Sequence, residues 1–277
     1  MVDGDRMAGG RVAILGGGNL GQALARGWVR GGVVPSEALV VTRRRLASLA
    51  PLVEEGIRVS DDNRGSVREA DIVVLAVQPQ QVEALMAEIR SELDPSRHLL
   101  VSVISGVTIS RLRELAGDAA FPVARAMPNT AVSIGESMTC LSVPPEDPVS
   151  GEVVSRLFEA VGVTLLIREE MMIPATALCA CGVAFFLRAV RAASQGGIEI
   201  GFHPEEALLL AAQTAKGAAG LLLQRGSHPE SEIDRVTTPR GCTIAGLNEM
   251  EHQGFSSAMI KGILLSARSA GELYTAD

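Results

Sequence analysis

The sequence predicts an α/β fold: a parallel sheet with crossover helices in the first part of the chain, followed by an all-α part. Three observations predict it. Residues 1–167 alternate short apolar runs with amphipathic stretches, as strands and crossover helices do in turn. A glycine-rich turn joins the first apolar run to the first amphipathic stretch. Beyond Ile167 the strand pattern stops, and long Ala/Leu/Met-rich segments punctuated by Gly and Pro take over.

In chain order the candidate strands are residues 12–15, 39–42, 57–60, 71–77, 99–105, 123–127, 138–143 and 163–167. The run 71–77 is apolar after its first residue, as a strand covered on both faces requires. Helical patterns fall at 20–31, 80–92, 109–116 and 149–161, then at 171–195, 204–225, 229–236, 239–252 and 256–273. Pro204, Pro229 and Pro239 stand at helix starts, where a fixed φ and a missing N–H cost nothing. Residues 1–10 are polar, lack an apolar core and read as a tail rather than a targeting segment.

The 277 residues suffice for two domains, and 47% hydrophobic against 21% charged residues excludes disorder. A net charge of −7 argues against a nucleic-acid partner, which needs a basic face to displace counterions. The four cysteines (140, 179, 181 and 242) and four histidines match no metal-ligand spacing, so no metal is expected, and the thiols read as buried and free in a reducing, cytoplasmic compartment. Residues 171–187 carry no charge, yet fall short of the roughly 18–20 that span a membrane. No second such stretch exists. The segment reads as a helix buried on nearly all sides, without a membrane. Four more helices from one chain supply too few neighbours for it. A homodimer through the C-terminal helices is expected.

The apolar run 12–15 leads into Gly16-Gly17-Gly18-Asn19-Leu20-Gly21 and then a helix. This is G-x-G-x-x-G between a strand and a helix, the context in which it binds dinucleotides. Gly16 permits the turn, Gly18 lets a pyrophosphate approach the backbone, and Gly21 lets helix meet strand. The helix N-terminus offers N–H groups to the phosphates. Residues 1–167 therefore read as a Rossmann-type dinucleotide-binding domain, and 168–277 as a helical domain for substrate and dimerisation. The second strand ends in Thr42-Arg43-Arg44-Arg45, where an NAD site carries an acid for the ribose hydroxyl. Guanidinium groups suit a 2′-phosphate, so Arg43 and Arg44 favour NADPH, with NADH as the lesser alternative.

A second site lies in residues 236–243, Val-Thr-Thr-Pro-Arg-Gly-Cys-Thr. With Thr238 as N-cap and Pro239 as first helical residue, the N–H groups of Arg240, Gly241 and Cys242 present an anion site suited to a small carboxylate. The Thr243 hydroxyl, about one turn in, is then placed to hydrogen-bond a reacting atom.

Taken together these stretches resemble the pyrroline-5-carboxylate reductases. The likeness is carried by residues 14–21, by Leu75-Ala76-Val77-Gln78-Pro79, by Arg125-Ala126-Met127-Pro128-Asn129-Thr130 and most specifically by 236–247, close to the family's V-T-S-P-G-G-T-T-I-x-G-L. Residues 135–139 and the spacing from Gln213-Thr214 to residues 217–219 add to it. The resemblance implies NADPH on Gly16, Gly17, Gly18, Asn19 and Leu20, with Arg43 near the adenosine phosphate and Asn63 close by. It places Ala76, Val77, Gln78 and Pro79, with Val103, Ile104 and Ser105, at the ribose and nicotinamide. It sets the substrate carboxylate on Thr238, Arg240 and Gly241, turns Thr243 toward the ring nitrogen, and puts Glu169 at the edge of the site. The implied reaction is hydride transfer to the cyclic imine 1-pyrroline-5-carboxylate, giving L-proline in a dimer, with higher oligomers known in the family. The alternatives are a same-fold reductase of another cyclic imine or a small keto acid, and a non-catalytic NADP-binding protein. Three positions depart from the pattern: residues 179–185 read C-A-C-G-V-A-F for S-G-S-G-P-A-Y, Gln78 replaces a lysine, and Arg240 replaces a glycine. At a second helical position Arg240 is expected to have negative φ, which arginine tolerates.

Overall fold

The computed structural model describes residues 10–274; the expected tail, at residues 1–9, lies outside them. The chain forms two compact units, one holding residues up to Cys181 and again from Ser266, the other Gly182–Leu265.

The first unit is built on an eight-stranded sheet. Its strands are β1 (Val12–Leu15), β2 (Leu39–Thr42), β3 (Arg58–Ser60), β4 (Ile72–Leu75), β5 (Leu99–Ser102), β6 (Val123–Met127), β7 (Ser137–Ser142) and β8 (Gly162–Leu166). They lie in the order β3-β2-β1-β4-β5-β6-β7-β8. The helices on this sheet are α1 (Asn19–Arg30), α2 (Ala50–Glu54), α3 (Asn63–Glu69), α4 (Val82–Ile89), α5 (Ile109–Ala116) and α6 (Pro148–Glu159). Val12 of β1 lies between Leu39 of β2 and Ile72 of β4. The chain thus runs outward from β1 in both directions, and the gap beyond the carboxyl ends of β1 and β4 is where such sheets hold their ligands.

All neighbouring strands are parallel except β6 and β7. The antiparallel pair corrects the expectation of a parallel sheet. Only residues 128–136 join these two strands, fewer than the dozen or so that a parallel crossover takes.

Side chains alternate across the sheet, so its central strands feed two cores. On one face Ile14, Val41, Val74 and Val101 pack under α1 and α6, where Trp28 and Phe158 meet edge to face at 5.7 Å. On the other, Ala13, Leu15, Val73, Leu75 and Leu100 pack with Met86 and Ile89 of α4 and Leu112 of α5. Burial on both faces explains why these strands read as unbroken apolar runs.

After β8 come α7 (Met172–Ala175) and one turn of π-helix, Thr176–Ala180, closed by the Cys181 N–H donating to the Thr176 carbonyl at 2.9 Å. The expected continuous helix 171–195 is therefore interrupted. The second unit holds α8 (Gly182–Glu199), α9 (Pro204–Arg225), α10 (Pro229–Val236), α11 (Cys242–His252) and the first part of α12 (Phe255–Gly271). Among its described residues only Gly182, Ser194 and Ala207 are buried. Leu223 is 86% exposed, Ile200 79% and Leu209 70%. All-round burial of residues 171–187 is likewise not met within the chain, since Leu178, Phe186 and Leu187 are exposed. Glu169–Glu199 is, among the described residues, the one helical stretch long and apolar enough to cross a membrane.

Candidate active site

At the carboxyl end of β1 the glycine turn forms as its spacing requires. Gly16 has φ 120°, and a side chain there would lie 2.3 Å from the Ala76 carbonyl oxygen. A Cβ on Gly21 would lie 2.1 Å from the Gly16 oxygen. Both positions are therefore closed to any larger residue. Gly18 differs: a Cβ there would meet nothing within 4 Å. It caps α1, and the first-turn N–H groups of Asn19, Leu20 and Gly21 point out of the helix without intrahelical partners. An open glycine before free N–H groups forms a cradle able to receive a phosphate. Gly17 takes a different part, its N–H donating to the Thr42 carbonyl at 2.7 Å.

That bond ties the turn to the end of β2. Arg43 Nη1 donates to the Gly17 carbonyl at 2.9 Å, so this arginine braces the turn while the rest of its guanidinium faces outward. Arg44 is exposed. Thr42 is buried and donates through Oγ1 to Asn63 Oδ1 at 2.6 Å, while Asn63 Nδ2 donates to Glu88 at 3.1 Å. The nearby acid Asp62 is spent as the N-cap of α3, accepting from the Gly65 N–H. Arg43, Arg44 and Asn63 therefore share one edge of the cradle, with no carboxylate from β2 itself.

The other wall comes from the loops after β4 and β5. The Ala76 N–H donates to the Leu15 carbonyl at 2.9 Å, and the Val103 N–H to the Leu75 carbonyl at 3.1 Å. These bonds prolong the sheet pattern beyond the strand ends and align Ala76 and Val77 beside Val103 and Ile104. Gln78 donates its N–H to Gln81 Oε1 at 3.3 Å, and Pro79 opens the helical turn before α4. Ile104 donates to Ser102 Oγ at 3.3 Å, and Ser105 Oγ lies 3.9 Å from Met127 Sδ. All the expected cofactor residues thus lie at the carboxyl end of one sheet.

Sequence reasoning named Arg125 within a motif but gave it no part. It is 3% exposed, and its Nη1 donates to Glu169 Oε1 at 3.0 Å. The same oxygen accepts the Ile109 N–H at 2.6 Å, at the N-terminus of α5. Glu169 is therefore held by a buried guanidinium and a helix end rather than free. Burial pushes the Arg125 pKa down, against the opposing pull of Glu169. The signal was available: an arginine inside the apolar strand VARAM needs an acid partner. Asn129, close after this strand, donates to the Cys179 carbonyl at 3.4 Å.

The thiols correct a further expectation, for only Cys140 is buried and Cys242 is exposed. Cys140 and Cys179 lie with sulfurs 3.8 Å apart. The contact pushes the Cys140 thiol up and draws Cys179 down to about 7.

In the second unit the stretch 238–241 forms a turn rather than a helix start. The Gly241 N–H donates to the Thr238 carbonyl at 2.9 Å, with Pro239 and Arg240 as the central residues. Arg240 has φ 62°, the one non-glycine residue with positive φ among those described. A turn with proline second and positive φ third is of type II. The expectations of Thr238 as N-cap, Pro239 as first helical residue and negative φ at Arg240 all fail together, because the turn's hydrogen bond takes the Gly241 N–H. Gly241 is the cap, and α11 starts at Cys242. The turn takes the Gly241 N–H, and the N–H groups of the first turn of α11 left for an anion are those of Cys242, Thr243 and Ile244. Thr243 is the second helical residue, closer to the tip than expected. Thr238 Oγ1 would lie 2.5 Å from a Cβ on Gly241, so a larger residue there would have to displace the Thr238 side chain. Among the described residues no cluster of potential metal ligands occurs.

Comparison with known proteins agrees with these elements. Residues 169–273 match the family model for pyrroline-5-carboxylate reductase dimerisation, and residues 11–106 that for NADP oxidoreductase, coenzyme F420-dependent. The chain is 46% identical to pyrroline-5-carboxylate reductase 2 of Dictyostelium discoideum, over 96% of this chain and 93% of that protein. It is 49% identical to pyrroline-5-carboxylate reductase 1 of the same organism over 95% of this chain, but spans only 50% of that relative's length. Among solved structures, a pyrroline-5-carboxylate reductase from Coxiella burnetii superposes with a TM-score of 0.87 at 28% identity, covering 96% of this chain and 99% of that one. The NADP-bound pyrroline carboxylate reductase of Plasmodium falciparum shares the fold, with a TM-score of 0.88 at 22% identity over 97% and 100% of the two chains.

Proposed function

Since the chain belongs to the pyrroline-5-carboxylate reductase family, we propose that it reduces 1-pyrroline-5-carboxylate to L-proline with NADPH as the reductant. The observation that carries this is the 46% identity to a relative of that name over nearly the whole length of both proteins. The cradle at Gly18 and the neighbouring Arg43 fit a dinucleotide carrying a 2′-phosphate: the open space receives the pyrophosphate, and the guanidinium groups of Arg43 and Arg44 receive the extra phosphate. Asn63 lies on the same edge. Gly16, Gly17, Asn19 and Leu20 complete the turn, while Ala76, Val77, Gln78, Pro79, Val103, Ile104 and Ser105 line the nicotinamide end. When bound, the cofactor supplies the hydride that adds to the C=N carbon.

The chain's own residues then bind and orient the imine. We assign the substrate carboxylate to the tip of α11, where the N–H groups of Cys242, Thr243 and Ile244 are free, beside Thr238 and the Arg240 guanidinium. The Thr243 hydroxyl is the hydrogen-bond partner of the ring nitrogen, accepting the N–H of the protonated imine. That cation is the electrophilic form, and its addition product is the neutral secondary amine, so no strong protein acid is needed. Orientation of this kind supplies about 7–11 kcal/mol in well-aligned systems. Glu169 serves as a positioning residue through Arg125 and the N-terminus of α5.

The dimerisation domain points to a homo-oligomer. We propose a homodimer joined through the C-terminal helices, open to higher assembly, working in the cytoplasm. The apolar side chains that the second unit leaves exposed support a protein partner for them rather than a membrane. The test is direct: purified protein with NADPH and pyrroline-5-carboxylate should lose the reduced-nicotinamide absorbance and form proline. No oxidation with this substrate would overturn the assignment, and oxidation only with another imine or a keto acid would redirect it.

A further inference from the structure

We propose that Tyr274 is a positioning residue that sets the two loops at the nicotinamide end of the cofactor site. The inference rests on the cofactor reading above. Those loops follow β4 and β5, and each runs straight into a helix: residues 76–81 into α4, residues 103–108 into α5. Glu83 lies in the first turn of α4 and Arg111 in the first turn of α5. Their side chains form an ion pair through Glu83 Oε1 and Arg111 Nη2. The Tyr274 hydroxyl completes a triangle, donating to Glu83 Oε1 at 2.7 Å and accepting from Arg111 Nε at 3.0 Å.

Two further observations relate the residue to the loops themselves. The Tyr274 ring packs on the same buried cluster as Val77, in the loop after β4. Its backbone lies against Gly106, in the loop after β5, which has φ 84°. A Cβ on Gly106 would lie 3.0 Å from the Tyr274 Cβ and 3.4 Å from its nitrogen. Tyr274 therefore bonds to both anchoring helices, touches the loop after β5 at Gly106, and shares a buried cluster with Val77 of the loop after β4. The glycine turn and Arg43, on the adenosine side, are held by a separate set of bonds to Thr42 and Gly17. Loosening Tyr274 should disturb the nicotinamide end alone.

The experiment compares the wild-type chain with Tyr274→Ala, Tyr274→Phe and Arg97→Gln. The last removes an ion pair with Asp71 at the amino-terminal edge of the sheet and controls for a general loss of stability. The readouts are kcat and the KM for NADPH in imine reduction, the Kd for NADPH, the Kd for adenosine 2′,5′-bisphosphate, and Tm. Tyr274→Ala should lower kcat about tenfold while the bisphosphate Kd stays within about twofold. Tyr274→Phe keeps the ring and loses the hydroxyl, so it should recover part of the loss, to about threefold below wild type. Arg97→Gln should leave kcat unchanged at any Tm. The inference falls if Tyr274→Ala matches wild type, if it weakens the bisphosphate and NADPH equally, or if Arg97→Gln costs as much activity. Should the wild-type chain reduce no pyrroline-5-carboxylate, the proposed function fails on its own. The ratio of the NADPH and bisphosphate affinities then still decides the part of Tyr274.

Discussion

Arg240 holds a left-handed backbone, φ 62°, where the related signature has glycine. For an L-residue that conformation costs roughly 1–2 kcal/mol, while glycine loses roughly 0.5–1 kcal/mol through its freer unfolded state. Arg240→Gly should therefore stabilise the protein by about 0.5–1 kcal/mol, measured by urea denaturation. Because the guanidinium flanks the proposed carboxylate site, the same change should raise the KM for the imine about threefold or more; an unchanged KM would remove Arg240 from the site. His98 is a residue of another kind. It is 2% exposed, accepts the Asp94 N–H on Nδ1 at 2.8 Å, and burial, aided by the charge of Arg97, holds its pKa below the usual 6.5. With the folded value below the unfolded one, the unfolded state binds the proton first as pH falls. The stability is whole above 6.5 and is lost as pH drops through the unfolded value toward the folded one. The denaturation midpoint should be lower at about pH 5 than at about pH 7, and His98→Gln should flatten that difference.

At the scale of elements, the glycine turn is where strand, helix and ligand site depend on one another. A methyl group on Gly21 would overlap the Gly16 carbonyl, so Gly21→Ala must push α1 off β1. We expect a loss of about 1–3 kcal/mol, together with weaker NADPH binding. Arg43→Ala removes both the brace on the Gly17 carbonyl and the proposed phosphate contact. It should weaken NADPH about tenfold more than NADH, read by fluorescence titration of each; equal losses would mean that Arg43 acts only as the brace. The elements also show how legibility varied. β1, β2, β6 and α5 fall at the residues their patterns predict, because each is buried on the expected faces. Helix α3 went unread: Asn63–Glu69 is polar apart from Val67 and buries only Ser66 and Val67. It is held by its Asp62 cap rather than by an apolar stripe. The start of α11 was misplaced for a related reason. Thr-Pro suits both a helix cap and a type II turn, and the choice lies in a backbone hydrogen bond that the residue types do not display.

For the whole molecule, the second unit exposes Phe186, Leu209 and Leu223 on helices with scarcely a buried side chain of their own, and Ile200 just beyond α8. Exposed apolar surface of this extent marks an interaction site, which the proposed homodimer would cover. Sedimentation at micromolar protein should give a dimer or larger species, and the pair Leu209→Asp with Leu223→Asp should shift it toward monomer with loss of activity. A wild-type chain that sediments only as a monomer would overturn the proposed dimer. The apolar excess was readable in residues 171–187, but where it would be buried was not. Helical periodicity reports that a face is apolar, and leaves open whether its own chain or a second copy covers it.

The sequence alone determined the alternation of strands and helices, the nucleotide turn with its three differently constrained glycines, and the stretch at 236–247 that marks the family. These are local: they follow from periodicity, from the small size of glycine and from motifs a few residues long. The tertiary structure decided the reversal of β7, the capture of Glu169 by Arg125 and a helix end, the left-handed Arg240, and the meeting of Tyr274 with Glu83 and Arg111. Each depends on groups far apart in the chain, or on which of two local hydrogen bonds the packed backbone keeps, and only folding sets those distances.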